Sequence, residues 1–357
     1  MATTVTNRVW RQSSPEAVDQ DLAAIWREIG ERGPVARSMM SNLVVFRLNE
    51  RRAADRPDTR DLPDLPEPPD ETASRGSDNI LREVVARHPS RTIVVEHDRG
   101  QHEPGRPIDA RVGVSVFGPK TAQYAVEWVV LRSACAEASW PSVVRRFARG
   151  DVPTSIWWTD DFSNFDALEA IASSGRQLVY DSRLWRDVPR AVGVLSKLLG
   201  QHRLDLVDLN WRRLAPLRLG LAQAYKADAQ SKASGSGKAS GSLRVRITYR
   251  RGELALASLL AGWVAARLHC DAASWPALVE ATPGPELLEI ELAGADRTIV
   301  ARLSEERAQI DQAGMPALRV PVPHEAPAEG IAVELRSLST DRALREAILA
   351  LAHRPAS

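Results

Sequence analysis

The residues of this chain best equipped for chemistry stand in the run SIWWTDD, where Trp157 and Trp158 are followed by Thr159, Asp160 and Asp161. Large aromatic faces beside carboxylates are how proteins grip a sugar ring, and ligands of α/β sheets collect at strand ends. The apolar pattern makes 154–158 a strand and puts both aspartates in the loop that follows it. Adjacent side chains of a strand point to opposite faces, so one tryptophan belongs to the core and only one is able to line a site. An aspartate between a strand and a helix also has a purely structural use as a cap. A second polar group gathers in ARHPSR, where His88 and Arg91 flank Pro89 ahead of another strand. There Arg91 would present a planar cation to a carboxylate or phosphate, and Asp160 an anion to a basic group. The plainer reading is that Arg91 and Asp160 pair with each other or cap neighbouring elements.

Other chemical motifs fail on inspection. GSGKAS, residues 235–240, invites a phosphate-loop reading, but Lys232 stands where the first glycine belongs and Ala239 where a metal-binding hydroxyl is required. No GxGxxG follows a strand, and no GxSxG nucleophile elbow occurs. The seven histidines are spread singly, without the HxH or HExxH spacing that converges on a metal. Cys135 and Cys270 lie more than a hundred residues apart and form no CxxC pair. No catalytic, cofactor or metal ligand is therefore assigned, and His88, Arg91, Trp158, Asp160 and Asp161 stand as candidates for contact with a partner.

The elements that must position these residues alternate along the chain. Ser14, Pro15 and Glu16 start a helix whose stripe, Val18, Leu22, Ile25 and Ile29, repeats at helical spacing. SNLVVFRL, 41–48, reads as a strand, and the charged, proline-rich stretch 49–78 as an exposed loop. Then follow helix 79–87, strands 91–97, 109–117 and 125–134, helix 141–149, strand 154–158, helix 164–173, strand 176–182, helix 187–200 and a helix from about 208–210. Residues 227–242 have the Gly/Ser composition of a flexible linker. Beyond them come strand 243–250, helix 253–268, several short strands between 287 and 336, and helix 341–352. The expected fold class is α/β, with a mixed sheet and flanking helices in 1–226, followed by a smaller α+β domain in 243–357.

Composition narrows the classes of function. The 47 Lys and Arg nearly balance 46 Asp and Glu, and no basic groove with aromatics stands out, so nucleic acid is not the expected partner. The longest apolar run, Leu254 to Leu268, is shorter than the roughly 20 residues that span a bilayer. With no signal peptide in its first residues, the chain is expected in the cytoplasm, away from membranes.

Several segments occur in an order that resembles the glucose-6-phosphate dehydrogenase assembly protein family, OpcA. They are VWRQSSPEAVDQDLAAIWRE with SNLVVF, then ARHPSRTIVV, DARVGVSVFGP, DVPTSIWWTDD, LVYDSRLW and DLNWRRLAPLR. The resemblance covers residues 8–220 and continues more loosely through LRVRITYRRGELALASLLAGWVAARL. It implies a noncatalytic, cofactor-free protein whose partner is glucose-6-phosphate dehydrogenase and which promotes that enzyme's active form in the oxidative pentose phosphate pathway. Two other functions fit the residues alone. One is a sugar-phosphate sensor holding its ligand with Arg91, Trp158 and Asp160; the other is an enzyme using Asp160 or Asp161 as acid or base.

Overall fold

A computed structural model describes residues 4–7, 11–12, 14–49, 74–98, 108–133, 139–162, 164–233, 243–281, 284–294, 298–322 and 324–354. The first sheet comprises β1 (Thr4–Asn7), β2 (Arg11–Gln12), β3 (Ala36–Arg37), β4 (Ser41–Asn49), β5 (Ser90–Asp98), β6 (Asp109–Phe117), β7 (Tyr124–Ser133), β8 (Thr154–Trp158), β9 (Gln177–Tyr180) and β10 (Asp205–Asp208). Its main path runs β1-β6-β7-β5-β4-β8-β9-β10, with β2 on β6 and β3 on β7. From β7 to β10 every neighbour is parallel. Numbered along the chain, these six strands stand in the order 3-2-1-4-5-6, that of a doubly wound sheet whose winding reverses between β4 and β8.

The centre of the sheet explains its sequence. Leu43, Val44, Val45 and Phe46 of β4 are all fully buried, because a parallel strand covered on both faces has no polar side to alternate with. Val44, Phe46, Ile156 and Trp158 pack into the core that includes α1 (Pro15–Arg32), α3 (Trp140–Phe147), α4 (Phe165–Ala172) and α5 (Val188–Gln201). Leu43, Val45, Trp157, Val179 and Val207 face the other way, onto α2 (Ser74–Arg87) and α8 (Pro327–Ser337). Trp157 and Trp158 thus occupy opposite cores, and neither lines an open site. The caps foreseen for α1 are in place: Ser14 accepts from the Ala17 N–H at 3.2 Å, and the stripe Val18, Leu22, Ile25 and Ile29 is buried.

The second sheet runs β12-β11-β13-β14-β15-β16 over Ala277–Glu280, Arg244–Tyr249, Leu288–Ala293, Thr298–Leu303, Arg307–Gln312 and Leu318–Pro321. It is antiparallel except where β12 joins β11. Inward residues alternate with charged outward ones, and Arg302 is held between Glu289 at 2.6 Å and Asp311 at 2.8 Å. Its inner face meets α6 (Ala215–Ala233) and α7 (Leu254–Leu268), the latter buried over most of its circumference between the sheet and α9 (Arg342–Ala352).

Several elements depart from the sequence reading. DLVD, 205–208, is a strand that sequence reading left unassigned, four residues beside one parallel neighbour being too few to show a period. The helix expected from about 208–210 follows as a 3-10 turn at Trp211–Leu214 leading into α6. Residues 327–337 form α8 where strands were expected. Their helix is fixed by tertiary contact, Ala328, Ile331 and Leu335 lying on the first sheet and Arg212 reaching Glu325 at 2.8 Å and Glu334 beyond it. Helix α2 starts at Ser74, inside the stretch read as loop, and α6 runs on to Ala233, inside the stretch read as linker. Residues 50–73, 234–242, His102 and Cys135 lie outside the described residues. Because α6 covers the second sheet and α8 covers the first, each sheet takes a helix from beyond the 227–242 segment.

Candidate functional site

The two candidate loops lie at opposite ends of the first sheet. In the parallel register Asn42 of β4 stands beside Arg91 and Phe46 beside Trp158. Four residues of strand separate those levels, roughly 13 Å at about 3.3 Å per residue. Arg91 and Asp160 are therefore not partners, and no single ligand of sugar-phosphate size is held by Arg91, Trp158 and Asp160 together.

At the amino end the polar group is interior. Arg91 is 2% exposed and donates through Nη1 to Glu127, itself 4% exposed. The same carboxylate accepts from Trp26 Nε1 at 2.7 Å and from Arg37 at 2.6 Å. Asp19 of α1 stands 3.9 Å from Arg91 and 3.8 Å from Arg149. Burial draws the Arg91 pKa down, opposed by the charge of Glu127. His88 is buried with Nε2 3.0 Å from Ser41 Oγ, which in turn is 2.9 Å from Ser90 Oγ. Burial lowers its pKa, and Arg336 of α8 adds to the effect. This cluster fastens α1 and β3 to the sheet; as folded, it gives His88 and Arg91 no surface to offer a partner.

At the carboxyl end, beside the switch point between β4 and β8, the aromatic side chains of the two strands pack on each other. Trp158, fully buried, stacks on Phe46 with ring centres 4.8 Å apart, and its Nε1 donates to the Asp161 carbonyl at 2.8 Å. Thr159 Oγ1 donates to the Phe46 carbonyl at 2.9 Å, tying the end of β8 to β4. Beyond this stack Asp160 is half-buried and accepts the Asp161 N–H at 2.7 Å. Asp161 Oδ2 lies 3.5 Å from Nε of Arg186, whose side chain is 86% exposed. The next turn, 182–184, is shaped by Asp181, which accepts from the Arg183 N–H at 3.0 Å, and it lifts Leu184 to 44% exposure. Asp160, Leu184 and Arg186 thus form a rim carried on the ends of β8 and β9, with Asp161, itself buried, holding Arg186.

Sequence reading missed the group beside that rim, although LVYDSRLW and DLNWRRLAPLR carry it. Asp208, paired in register with Tyr180, accepts through Oδ1 from the N–H groups of Ser182 at 2.9 Å and Asn210 at 3.0 Å. Its other oxygen, Oδ2, and the Tyr180 hydroxyl are buried without a hydrogen-bond partner. Burial pushes the Asp208 carboxyl up to about 7 and the Tyr180 phenol well above its usual value. Around them Arg213 donates to Asn210 at 2.9 Å and to Glu253 at 3.1 Å, and Trp211 Nε1 donates to Asp341 at 2.7 Å. These bonds tie the carboxyl ends of β9 and β10 to α7 and α9. The available signal was an aspartate directly following each of two short apolar runs, VY and LV. Among the described residues no group of three or more His, Cys, Asp or Glu is placed to hold a metal.

Fold and site together define an α/β protein with a doubly wound first sheet and a smaller, mostly antiparallel second sheet. The chain belongs to the glucose-6-phosphate dehydrogenase subunit family, OpcA. The family's N-terminal domain model matches residues 82–197 and its C-terminal domain model residues 204–348. Two curated relatives are each described as a putative OxPP cycle protein OpcA. That of Nostoc punctiforme is 29% identical over 210 residues, covering 56% of this chain and 42% of the relative. That of Synechocystis is 26% identical over 233 residues, covering 60% and 46%. The matches span under half the length of these relatives. Among solved structures, UDP-N-acetylglucosamine 3-dehydrogenase GnnA from Acidithiobacillus ferrooxidans aligns over 89% of this chain and 97% of its own, at 10% identity and a TM-score of 0.40. That likeness is too slight to carry any conclusion.

Proposed function

We propose that this chain is a noncatalytic subunit that binds glucose-6-phosphate dehydrogenase and promotes its active form in the cytoplasm. The observation that carries the reading is the consecutive pair of matches to the two domains of the dehydrogenase subunit family. The strand ends add support, since Trp158 is taken up by stacking on Phe46 and by its bond to the Asp161 carbonyl and offers no face to a sugar ring. So does the chain after the first parallel strand. A bound pyrophosphate needs a GxGxxG there for close backbone approach, and none follows this strand, Gly76 in the first turn of α2 standing alone. Among the described residues no helix is long and apolar enough to cross a membrane.

An activator acts by binding the active form of its target more tightly than the inactive form, and a preference of about 1.4 kcal/mol moves the equilibrium tenfold. The surface we put forward for that contact is the rim of Asp160, Leu184 and Arg186, in which an exposed apolar tip is flanked by both signs of charge. Rigid strands carry it, as befits a recognition surface. Adding the purified chain to its cognate dehydrogenase is expected to raise turnover in a substrate titration. The double variant Leu184→Asp, Arg186→Glu is expected to lose the effect with its melting temperature unchanged. An unaltered titration with excess wild-type chain rejects the function, whereas activation kept in the variant rejects the rim alone.

A further inference from the structure

A groove of about 840 Å³ opens between the amino ends of β9 and β10 and the first turns of α9. Small-molecule sites are commonly about 300–1,000 Å³. Four arginines line it: Arg176 before β9, Arg203 before β10, and Arg342 and Arg345 one turn apart on α9. Its two carboxylates are already engaged. Asp205 accepts from Thr340 Oγ1 at 2.5 Å and lies 3.5 Å from Arg176 Nε, and Glu346 pairs at 3.0 Å with Arg267 of α7. Among the described residues none pairs with Arg203, Arg342 or Arg345. Three uncompensated guanidinium groups around one concavity create a positive potential that favours an anion over any neutral guest. Guanidinium matches phosphate oxygens two at a time. Leu204 and Leu349 add an apolar surface beside the charges.

We propose that this groove binds a small organic phosphate, its phosphoryl group held by Arg203, Arg342 and Arg345 and its carbon skeleton against Leu204 and Leu349. Three guanidinium groups lining one groove suit the several oxygens of a single phosphoryl group, whereas an acidic protein surface would bring its carboxylates one at a time. The guest would bridge the first sheet to α9, which packs on α5 and α7, and so strengthen the seam between the two sheets. The site is remote from the carboxyl-end rim and is tested on the isolated chain, so its success or failure is separate from that of the proposed function.

The test titrates the full chain with inorganic pyrophosphate and with glucose 6-phosphate, by calorimetry and by thermal melting, against glucose and against sulfate at matched ionic strength. Saturable one-site binding of both phosphates, accompanied by a rise in melting temperature and absent with glucose, is expected. The variant Arg342→Ala, Arg345→Ala should weaken it by tenfold or more while melting no lower than wild type without ligand, since alanine suits a helix and like charges are removed. Arg203→Gln serves as an independent second variant. The proposal is overturned by a lack of saturation, by equal effects of sulfate, or by unchanged affinity in both variants. It is equally overturned if the variants lose association with the dehydrogenase while phosphates never bind, because the groove then serves an acidic protein surface.

Discussion

Replacing Asp208 by asparagine keeps a carbonyl oxygen for the N–H groups of Ser182 and Asn210 and removes only the group that titrates. Burial raises this carboxyl from its usual 3.8 to about 7, so in the native protein it holds its proton across a range in which the unfolded chain has released it. A carboxyl raised on folding contributes stability at low pH, and that contribution falls as pH climbs from about 4 towards 7, where the buried group itself ionises. Linkage applied to those two values gives a loss of roughly 2–3 kcal/mol between pH 5 and pH 8 from this one group. The asparagine variant has no such loss, and every other titration cancels when the two proteins are compared. Urea unfolding of both proteins at pH 5 and pH 8 measures it directly. Wild type should lose about 2–3 kcal/mol more than Asp208→Asn over that interval. Parallel pH dependences, or a wild type that gains on the variant towards pH 8, would refute a desolvated carboxyl at this seam.

The remaining expectations concern packing and the buried charge pair. Arg91→Ala strands Glu127 without its innermost partner and should cost roughly 3–5 kcal/mol in chemical denaturation, whereas Arg91→Met combined with Glu127→Leu should recover most of it; a single-variant loss below about 0.5 kcal/mol would mean a surface residue. Gly262 lies where α7 meets α9, and a Cβ there would sit 2.5 Å from the Ala347 carbonyl oxygen and 2.7 Å from Leu351 Cγ. Gly262→Ala should therefore lower stability by about 1–3 kcal/mol despite alanine's better helix propensity, and a stabilised variant would show that these helices stand further apart.

The alternation of helix and strand, the caps of α1 and the apolar run of β4 were legible because each follows from chemistry within a few residues. Sequence reading also located the SIWWTDD loop correctly at a strand end, where Asp160 is half-buried and Asp161 buried. What it misjudged was accessibility. Trp158 and Arg91 are the residue types that recognise ligands, but they are also types that become interior once a stacking ring or a carboxylate meets them, and Phe46 and Glu127 are 112 and 36 residues away along the chain.

By itself, then, the sequence determined the local elements, the lack of a GxGxxG after any strand and, through the order of its segments, the family. Only the tertiary structure decided that ARHPSR and WWTDD lie at opposite ends of one sheet, because strand order and direction depend on pairings between distant segments. It also decided the burial of Asp208 and the meeting of Arg203 with Arg342 and Arg345. Desolvation and charge density are properties of what surrounds a side chain, and those surroundings are assembled from parts of the chain that local spacing does not connect.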